Sequence, residues 1–594
     1  MVREKGKNEP VPRKSDAVHV STTRRQYKDR VYTAHLLRRS YREDGKVKNE
    51  TLANLSPLPD PAIDAIRAVL KGQTLVPFDS QFDITRSVQH GAVAAVWGLS
   101  QRIGLTNILG PICPERDDAL ALIVSQVVEP ASKASYNSWW QDNSMGIDLG
   151  LTGAHTDRAY RALDWLYERK DAIETALVAE HLGEGAMVCC DLSSSWVEGS
   201  HCPRAAFGHS KEGKRGKRQI EYGAVATTLG LPLAIEGFAG NTSDPASFAH
   251  AVEVVRNRFH LPSVVFVGDR GTITKARIEQ LRQLPGLSWI TALRAPQIRA
   301  LVEDYSIQPS FFDQSNLAEI ASHPNYPGER LVVCRNPELA EERAHKRLAL
   351  LDATEADLTQ VKVAVDAGRL HDPARIGMRV GKVVGRHKVA KHFQLDIVAG
   401  KLFFSRKQES IDSEAALDGI YVIRTCVGAD VLTAAQTVAI YKFLSNLERD
   451  FRTMKTVEVE IRPIRHHLAD RVRAHAFLCM LAAHLVWYLR REWAELTFRD
   501  QSPQPHPDPV AKAHRSQAAS TKAASRHQPD GAEVRSFQAL LDHLATLTRN
   551  TCQVPGTDLT IEKLSIPTPT QRRAFELLQI PIPLGFMSTR QIPV

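Results

Sequence analysis

The spacing of apolar positions changes character along this chain of 594 residues. From about 61 to 180 apolar residues recur at helical spacing, which predicts helices over 62–70, 91–103, 117–128 and 157–182. The period then shortens to two. Stretches 186–195, 219–229 and 231–240 read as strands, the last two joined by a tight turn at Gly230. A helix over 245–258 follows. Residues 263–268 form a short, wholly apolar run ending at Asp269, as expected of a buried parallel strand, and a helix over 274–283 leads to a strand over 287–293. The order strand, strand, strand, helix, strand, helix, strand predicts an α/β domain.

Beyond this domain the pattern is mixed from about 296 to 430. A charged helical part over 337–367 is followed by strand-like parts at 392–398, 401–405 and 419–425. Residues 431–493 are helical again. Residues 501–536 begin with four prolines between 503 and 509 and continue rich in Ala, Ser, His and Lys, the composition of a flexible linker. The organisation read from this is a basic arm over 1–60, a helical domain over 61–180 and an α/β core over 181–295. An α+β insertion over 296–430, the rest of the core over 431–500, the linker over 501–536 and a helical segment over 537–594 complete it.

Length predicts three to five units at about 150 residues each. With 76 Lys plus Arg against 67 Asp plus Glu, the net charge of +9 is modest, so where the charge clusters matters more than its total. Residues 1–42 carry twelve basic against four acidic residues, with Arg24 and Arg25 adjacent. This suits an arm that meets phosphates and equally a solvated tail. The eight cysteines form no C-x-x-C pair, which argues against a zinc module and against a secreted disulfide framework. No apolar leader is present, and the longest apolar stretch, 476–489, is interrupted by His484. The expectation is a soluble, cytoplasmic protein.

Three carboxylates stand out. Asp191 and Asp269 each follow an apolar strand core, where an ionised carboxylate is costly without a partner and a cation would supply one. For Asp269 the bland alternatives are an ion pair with Arg270 or capping of the next loop. Glu448 lies in a stripe with Tyr441, Arg452 and Lys455 whose spacings of seven, four and three place all four on one helix face. An i,i+4 ion pair between Glu448 and Arg452 is the alternative there. Two Asp and one Glu make a hard, oxygen-only donor set suited to Mg²⁺, with Mn²⁺ as substitute, and to phosphodiester chemistry. Arg452 and Lys455 suit phosphate oxygens. Between the first two strands, Lys211, Lys214, Arg215, Lys217 and Arg218 make five basic residues in eight, either a solvated hairpin tip or a clamp on a nucleic-acid backbone.

These elements and residues resemble the bacterial DDE insertion-sequence transposases, in the "IS four" type superfamily, whose RNase H-like mixed-sheet domain is split by an insertion before its last catalytic helix. The resemblance is carried by Asp191-Leu-Ser-Ser-Ser, by Leu231-Pro-Leu through Gly240-Asn-Thr-Ser-Asp, and by Gly268-Asp-Arg-Gly. Asp418-Gly-Ile-Tyr-Val-Ile-Arg-Thr and Tyr441 to Lys455 followed by Ile461-Arg-Pro-Ile-Arg-His-His add to it. It implies Asp191, Asp269 and Glu448 as a catalytic, metal-binding triad, with Tyr441, Arg452 and Lys455 on the DNA backbone. The family signature has Arg where this chain has Leu444.

The implied activity is binding of terminal inverted repeats through residues 1–180, hydrolysis at the element ends with two Mg²⁺ ions, and joining of the 3′-OH to target DNA. A homodimer on paired ends of double-stranded DNA in the bacterial nucleoid is implied with it. The rival readings are a nuclease on the same fold that cuts without joining, and an inactive DNA-binding repressor. In some relatives an indole of the insertion stacks on a flipped base during hairpin formation. The insertion here has no tryptophan, so the second-strand route stays open.

Overall fold

Residues 17–54 carry few apolar side chains, yet the structure, a computed structural model, folds most of them as strands. It describes residues 17–586 except 28–29, 44–45, 74–81, 154–155, 184–185, 209–215, 243, 262, 456–458, 504–505, 529–530, 532 and 555–556. The chain divides into two units, Met1–Arg86 with Thr551–Ile561, and Ser87–Asn550 with Glu562–Val594.

In the first unit β1 (Ala17–Tyr27), β2 (Arg30–Glu43) and β3 (Lys46–Asn54) form an antiparallel sheet in that order. The expected arm is therefore a sheet from residue 17, while residues 1–16 lie outside the described residues. Its backbone groups are paired in ladders, but β3 is exposed at every position, so no apolar period betrays the strands in the sequence. The helix Asp60–Leu70, expected to open a helical domain, belongs to this unit. Its Arg67 donates to Thr22 Oγ1 at 2.6 Å and reaches His35 Nδ1 at 3.2 Å. Strand β4 (Asp83–Gln89) carries the chain into the second unit.

The second unit is mixed α/β around an eight-stranded mixed sheet. β5 (Ala186–Trp196), β6 (Gln219–Thr227) and β7 (Pro232–Ala239) are successive antiparallel neighbours. β8 (Val264–Val267) runs parallel to β5, and β9 (Leu287–Ala292) parallel to β8, giving the order β7-β6-β5-β8-β9. The apolar run of β8 sits at the sheet centre, as a strand covered on both faces requires.

The expected insertion is not separate from this sheet. β10 (Leu317–Ile320), β11 (Arg330–Arg335) and, later in the chain, the strand Ile420–Thr425 extend it antiparallel beyond β9. The overlooked signal is Leu331-Val-Val-Cys334, an apolar run buried throughout. The part that leaves the sheet comprises the helices Pro337–Asp366 and Pro373–His387, the hairpin β12 (Phe393–Val398) and β13 (Lys401–Arg406), and a short helix. It has its own core around Leu351, Leu358, Ile376, Phe393 and Leu402.

The chain re-enters the sheet at Gly419, which opens β14 (Ile420–Thr425). Its φ of +73° and the 2.3 Å that would separate an added Cβ from the Asn336 carbonyl oxygen leave room for glycine alone. Within β14, Arg424 makes two bonds to buried Glu329, at 2.5 and 2.6 Å, and Arg282 adds a third at 2.6 Å. One motif of the resemblance, Asp418 to Thr425, thus acts in the sheet.

Helices Gly91–Arg102, Pro114–Val128, Thr156–Glu168 and Lys170–His181 occupy the predicted helical stretch, the last two divided at Arg169. They share a core with Ala469–Glu492, a helix long and apolar enough to cross a membrane, of which 83% of the most apolar window is buried inside the protein. Residues 501–536 contain more than a linker. Ser516 caps the helix Gln517–Ser525, whose Lys522 is buried against the Ala494 carbonyl at 2.8 Å. Lys442 donates to the carbonyls of Pro509, Val510 and Ala511. The C-terminal segment adds β15 (Thr548–Gln553) and β16 (Thr560–Leu564) to its helices Phe537–Ala545 and Pro569–Leu577.

Two predictions follow from buried polar groups. Removing one partner of a buried ion pair strands the other charge, so Glu329→Met, which takes the carboxylate from buried Arg424, should cost about 3–5 kcal/mol in chemical denaturation; a loss within experimental error would contradict the pairing. His484 donates Nδ1–H to the Pro232 carbonyl at 2.9 Å, and burial pulls its pKa down to about 4. Because the folded value lies below the unfolded one, its stabilising contribution is complete above pH 6.5 and is lost as pH falls from about 6.5 towards 4. Over that window His484→Gln should remove about 1.4 kcal/mol per pH unit of stability change. An unaltered pH slope would show that the ring titrates normally.

Candidate metal and nucleic-acid site

Parallel pairing of β5 with β8 sets Cys189 opposite Val267. Two residues further on, Asp191 still lies within β5, opposite Ala224 of β6, and so not where a strand meets a loop, whereas Asp269 does stand in the loop just past β8. At Gly268 an added Cβ would crowd the Ile273 side chain at 2.9 Å and sit in ordinary contact, 3.5 Å, with the Cys190 carbonyl oxygen. Asp191 is half-buried, and its Oδ1 accepts the Leu192 N–H at 2.8 Å.

Asp269 is exposed and held by its own loop. Its Oδ1 accepts N–H bonds from Gly271 at 2.9 Å and Thr272 at 2.6 Å, and its carbonyl accepts from Ile273 N–H and Thr291 Oγ1. Of the two bland readings of Asp269, loop capping is present; among the described residues it makes no ion pair with Arg270. Capping fixes the carboxylate while engaging only Oδ1 among the described residues. Thr272 also lines, with Asp191, one small cavity of about 20 Å³, which ties the two aspartate segments together. Sequence reasoning missed Thr272 because its contribution is a backbone N–H, which any residue but proline offers.

Glu448 stands on the helix Leu444–Lys455. Leu447, Phe451 and Met454, spaced four and three apart, are buried and dock the helix on the sheet. The Phe451 ring lies 5.8 Å from that of Tyr222 on β6, whose hydroxyl is 3.0 Å from Ser195 Oγ on β5. Glu448, Arg449 and Arg452 are exposed on the same helix, and Lys455 is half-buried. The i,i+4 ion pair of Glu448 with Arg452 does not form among the described residues.

The stripe needs one correction. Tyr441 lies on a separate helix, Ala434–Lys442, and the helical hydrogen-bond pattern is interrupted at Phe443, although that residue keeps right-handed helical angles. Tyr441 nevertheless belongs to the same neighbourhood. Burial pushes its phenol up to about 12; the nearby charge of Asp269 adds to this, Arg270 opposes it, and Glu448 adds again. One hydroxyl therefore senses the second aspartate and the glutamate together.

The basic residues fare differently. Arg452 lines a cleft with Arg449, Arg490 and Arg499. The Lys455 carbonyl accepts from Arg462 Nε at 2.9 Å. Arg218 is committed to the base of its loop, donating to the Ser200 carbonyl at 3.1 Å with its guanidinium 5.7 Å from the Phe207 ring centre. Lys217 is exposed, 3.5 Å from Glu198. Lys211, Lys214 and Arg215 lie outside the described residues. In the first unit, Arg24 and Arg25 are exposed neighbours on β1, opposite Thr33 and Tyr32, so strand alternation sends them to opposite faces of the sheet.

A second acidic group competes for attention. Carboxylate oxygens of Asp171, Glu174 and Glu236 lie within 4.8 Å of one another. Lys170 meets Glu174 at 3.0 Å and Glu236 at 2.6 Å, and Arg258 pairs with all three carboxylates. Those negative charges already have cations, so this cluster is an ion-pair network fastening the helix Lys170–His181 to β7. Asp191, Asp269 and Glu448 are likewise an oxygen-only carboxylate set, of a kind that fits Mg²⁺ or Mn²⁺, but among the described residues only Asp171, Glu174 and Glu236 have carboxylate oxygens all within 4.8 Å of one another.

Residues 20–76 match the family model described as IS1634 family transposase, N-terminal domain. No curated protein matches the chain. Among solved structures it is similar to piggyBac transposase in a cryo-EM structure of its synaptic complex with hairpin DNA. The identity is 9%, with 72% of this chain and 70% of that chain covered and a TM-score of 0.35. The family match runs from within β1 past the helix Asp60–Leu70, so the likeness to that transposase domain lies in the first unit.

Calorimetric titration with Mn²⁺ checks the donor set. Asp269→Asn should weaken binding by more than about 100-fold, beyond the range seen for outer-shell partners. Thr272→Ala, which keeps the N–H bonded to Asp269, should bind as wild type does. Equal affinity in Asp269→Asn would remove that carboxylate from the site.

Proposed function

We propose that this protein is a DNA transposase of the DDE type that cuts the phosphodiester bond at the ends of its element and joins the freed 3′-OH to target DNA. The observation that carries the reading is the register of β5 with β8. Continued two residues past Cys189 opposite Val267, that register carries Asp191 of β5 towards Asp269, which follows β8, and the Glu448 helix packs on β5, an arrangement that supports a shared carboxylate site. The order and directions of β7-β6-β5-β8-β9 are those of an RNase H-like core, and the match of residues 20–76 to a transposase N-terminal domain supports the same conclusion.

Each residue has a role that its setting suits. Asp191, Asp269 and Glu448 would hold two Mg²⁺ ions. Divalent ions there supply Lewis acidity at the scissile phosphate and lower the pKa of a bound water. Asp269, locked by the N–H groups of Gly271 and Thr272, presents its carboxylate pre-oriented, and Glu448 is fixed by a helix whose opposite side is buried. Arg452 and Lys455 neutralise the DNA backbone beside the cut, and Tyr441 donates its un-ionised hydroxyl to it. The first unit, with Arg24 and Arg25, binds the terminal inverted repeats, and Lys217 and Arg218 flank the DNA at the base of the basic loop. Two copies act on paired ends, on the DNA of the bacterial nucleoid.

The test is strand cleavage of a duplex carrying the sequences that flank this reading frame, with Mg²⁺ or with EDTA. Wild type should nick at the repeat ends only with Mg²⁺, and Glu448→Gln should lower the rate by more than about 100-fold. Joined products distinguish a transposase from a nuclease that cuts without joining. Binding without any cut would overturn the proposal in favour of a repressor.

A further inference from the structure

The three-stranded sheet of the first unit has two unlike faces. Directly opposed residues send their side chains to the same face, so the register of β1, β2 and β3 sorts them. Thr22 and His35, opposed and 3.0 Å apart, lie on the side of the helix Asp60–Leu70, whose Arg67 reaches both. Val18, Val20 and Leu37 share that side, and so do both acids of the three strands, Glu43 and Glu50. Each acid is met there by a cation, Glu43 by Lys48 at 2.5 Å and Glu50 by Arg39 at 2.6 Å.

The opposite face carries no helix of this unit among the described residues. It presents Arg25 opposite Tyr32, Arg38 between His19 and Thr51, and Arg42 opposite Val47, and the three strands place no acidic residue on it. Arg25 and Arg42 are exposed and Arg38 is half-buried. Guanidinium groups stay charged at any physiological pH, and a polyanion laid on such a face offsets their mutual repulsion. The dimensions suit a duplex. Three strands about 4.8 Å apart measure about 10 Å across, against a major groove about 12 Å wide. At about 3.3 Å per residue, β2 from Tyr32 to Arg42 spans about 33 Å, close to one turn of DNA.

We infer that this open face lies in the major groove of the element-end duplex, with Arg38 on base edges at its centre and Arg25 and Arg42 on phosphates at its two ends. The groove winds away from a strand of this length, so the centre of the face meets bases while its ends meet the backbone. The planar fork of arginine matches both the O6 and N7 acceptors of guanine and the paired oxygens of a phosphate. The inference rests on the proposed DNA chemistry and deepens it, assigning recognition of the ends to one face of one sheet.

Salt dependence of binding reads phosphate contacts directly. The probe is a labelled duplex carrying the sequences that flank this reading frame, bound by the full chain without metal and followed by fluorescence anisotropy. Between about 50 and 200 mM salt, the slope of log K against log salt should be about 1.8 shallower for Arg25→Gln/Arg42→Gln than for wild type, at about 0.9 per contact. Arg42→Gln alone should reduce it by about 0.9 and serves if the double variant does not fold, as judged by its melting temperature. Arg38→Gln should lower the preference for this duplex over a scrambled one by about 10-fold. Lys48→Gln, on the helix side, should match wild type in both. Unchanged slope and preference in folded arginine variants, or an equal fall in Lys48→Gln, would overturn the inference while leaving Mg²⁺-dependent cleavage by wild type to decide the transposase reading. If wild type binds no DNA, both fall.

Discussion

Parallel pairing of β5 with β8 is the constraint on which the site depends. Taken alone, an aspartate within β5 and another in the loop after β8 are unremarkable. Paired in parallel with Cys189 opposite Val267, the two strands carry Asp191 within β5 and Asp269 just past β8, nearly eighty residues apart in sequence, towards one region of the sheet. Asp269 takes two N–H bonds from its own loop. At Gly268 an added Cβ would press on the Ile273 side chain of the same loop.

The Glu448 helix is positioned by packing. Leu447, Phe451 and Met454 bury one side of it, and Phe451 against Tyr222 keys it to β6. What reaches solvent on the other side is a carboxylate followed by two arginines. The same docking therefore leaves Glu448 exposed and lets Arg449 and Arg452 line a cleft with Arg490 and Arg499.

Much of the core was legible because its strands carry strong signals. The apolar run before Asp269, the alternation over 186–195 and the turn at Gly230 lie in or between strands that the structure contains. Less was legible where the period is weak or packing overrides composition. β1 to β3 expose most of their side chains, so their ladders leave no apolar trace. β11 shows such a trace at Leu331 to Cys334, but long charged helices beside it suggested a separate insertion. The proline-rich stretch after 501 reads as a linker, yet Lys442 gathers three of its carbonyls and Ser516 caps a helix in it. The stripe from Tyr441 to Lys455 crosses a helix interruption at Phe443 that no spacing rule signals.

The central claim is that Asp191, Asp269 and Glu448 converge on divalent metal. Anomalous diffraction from crystals of the protein with an end duplex and Mn²⁺ tests it most directly. The account predicts Mn²⁺ peaks coordinated by these three carboxylates, beside a backbone phosphate. Peaks absent there and present at Asp171, Glu174 and Glu236 would contradict it.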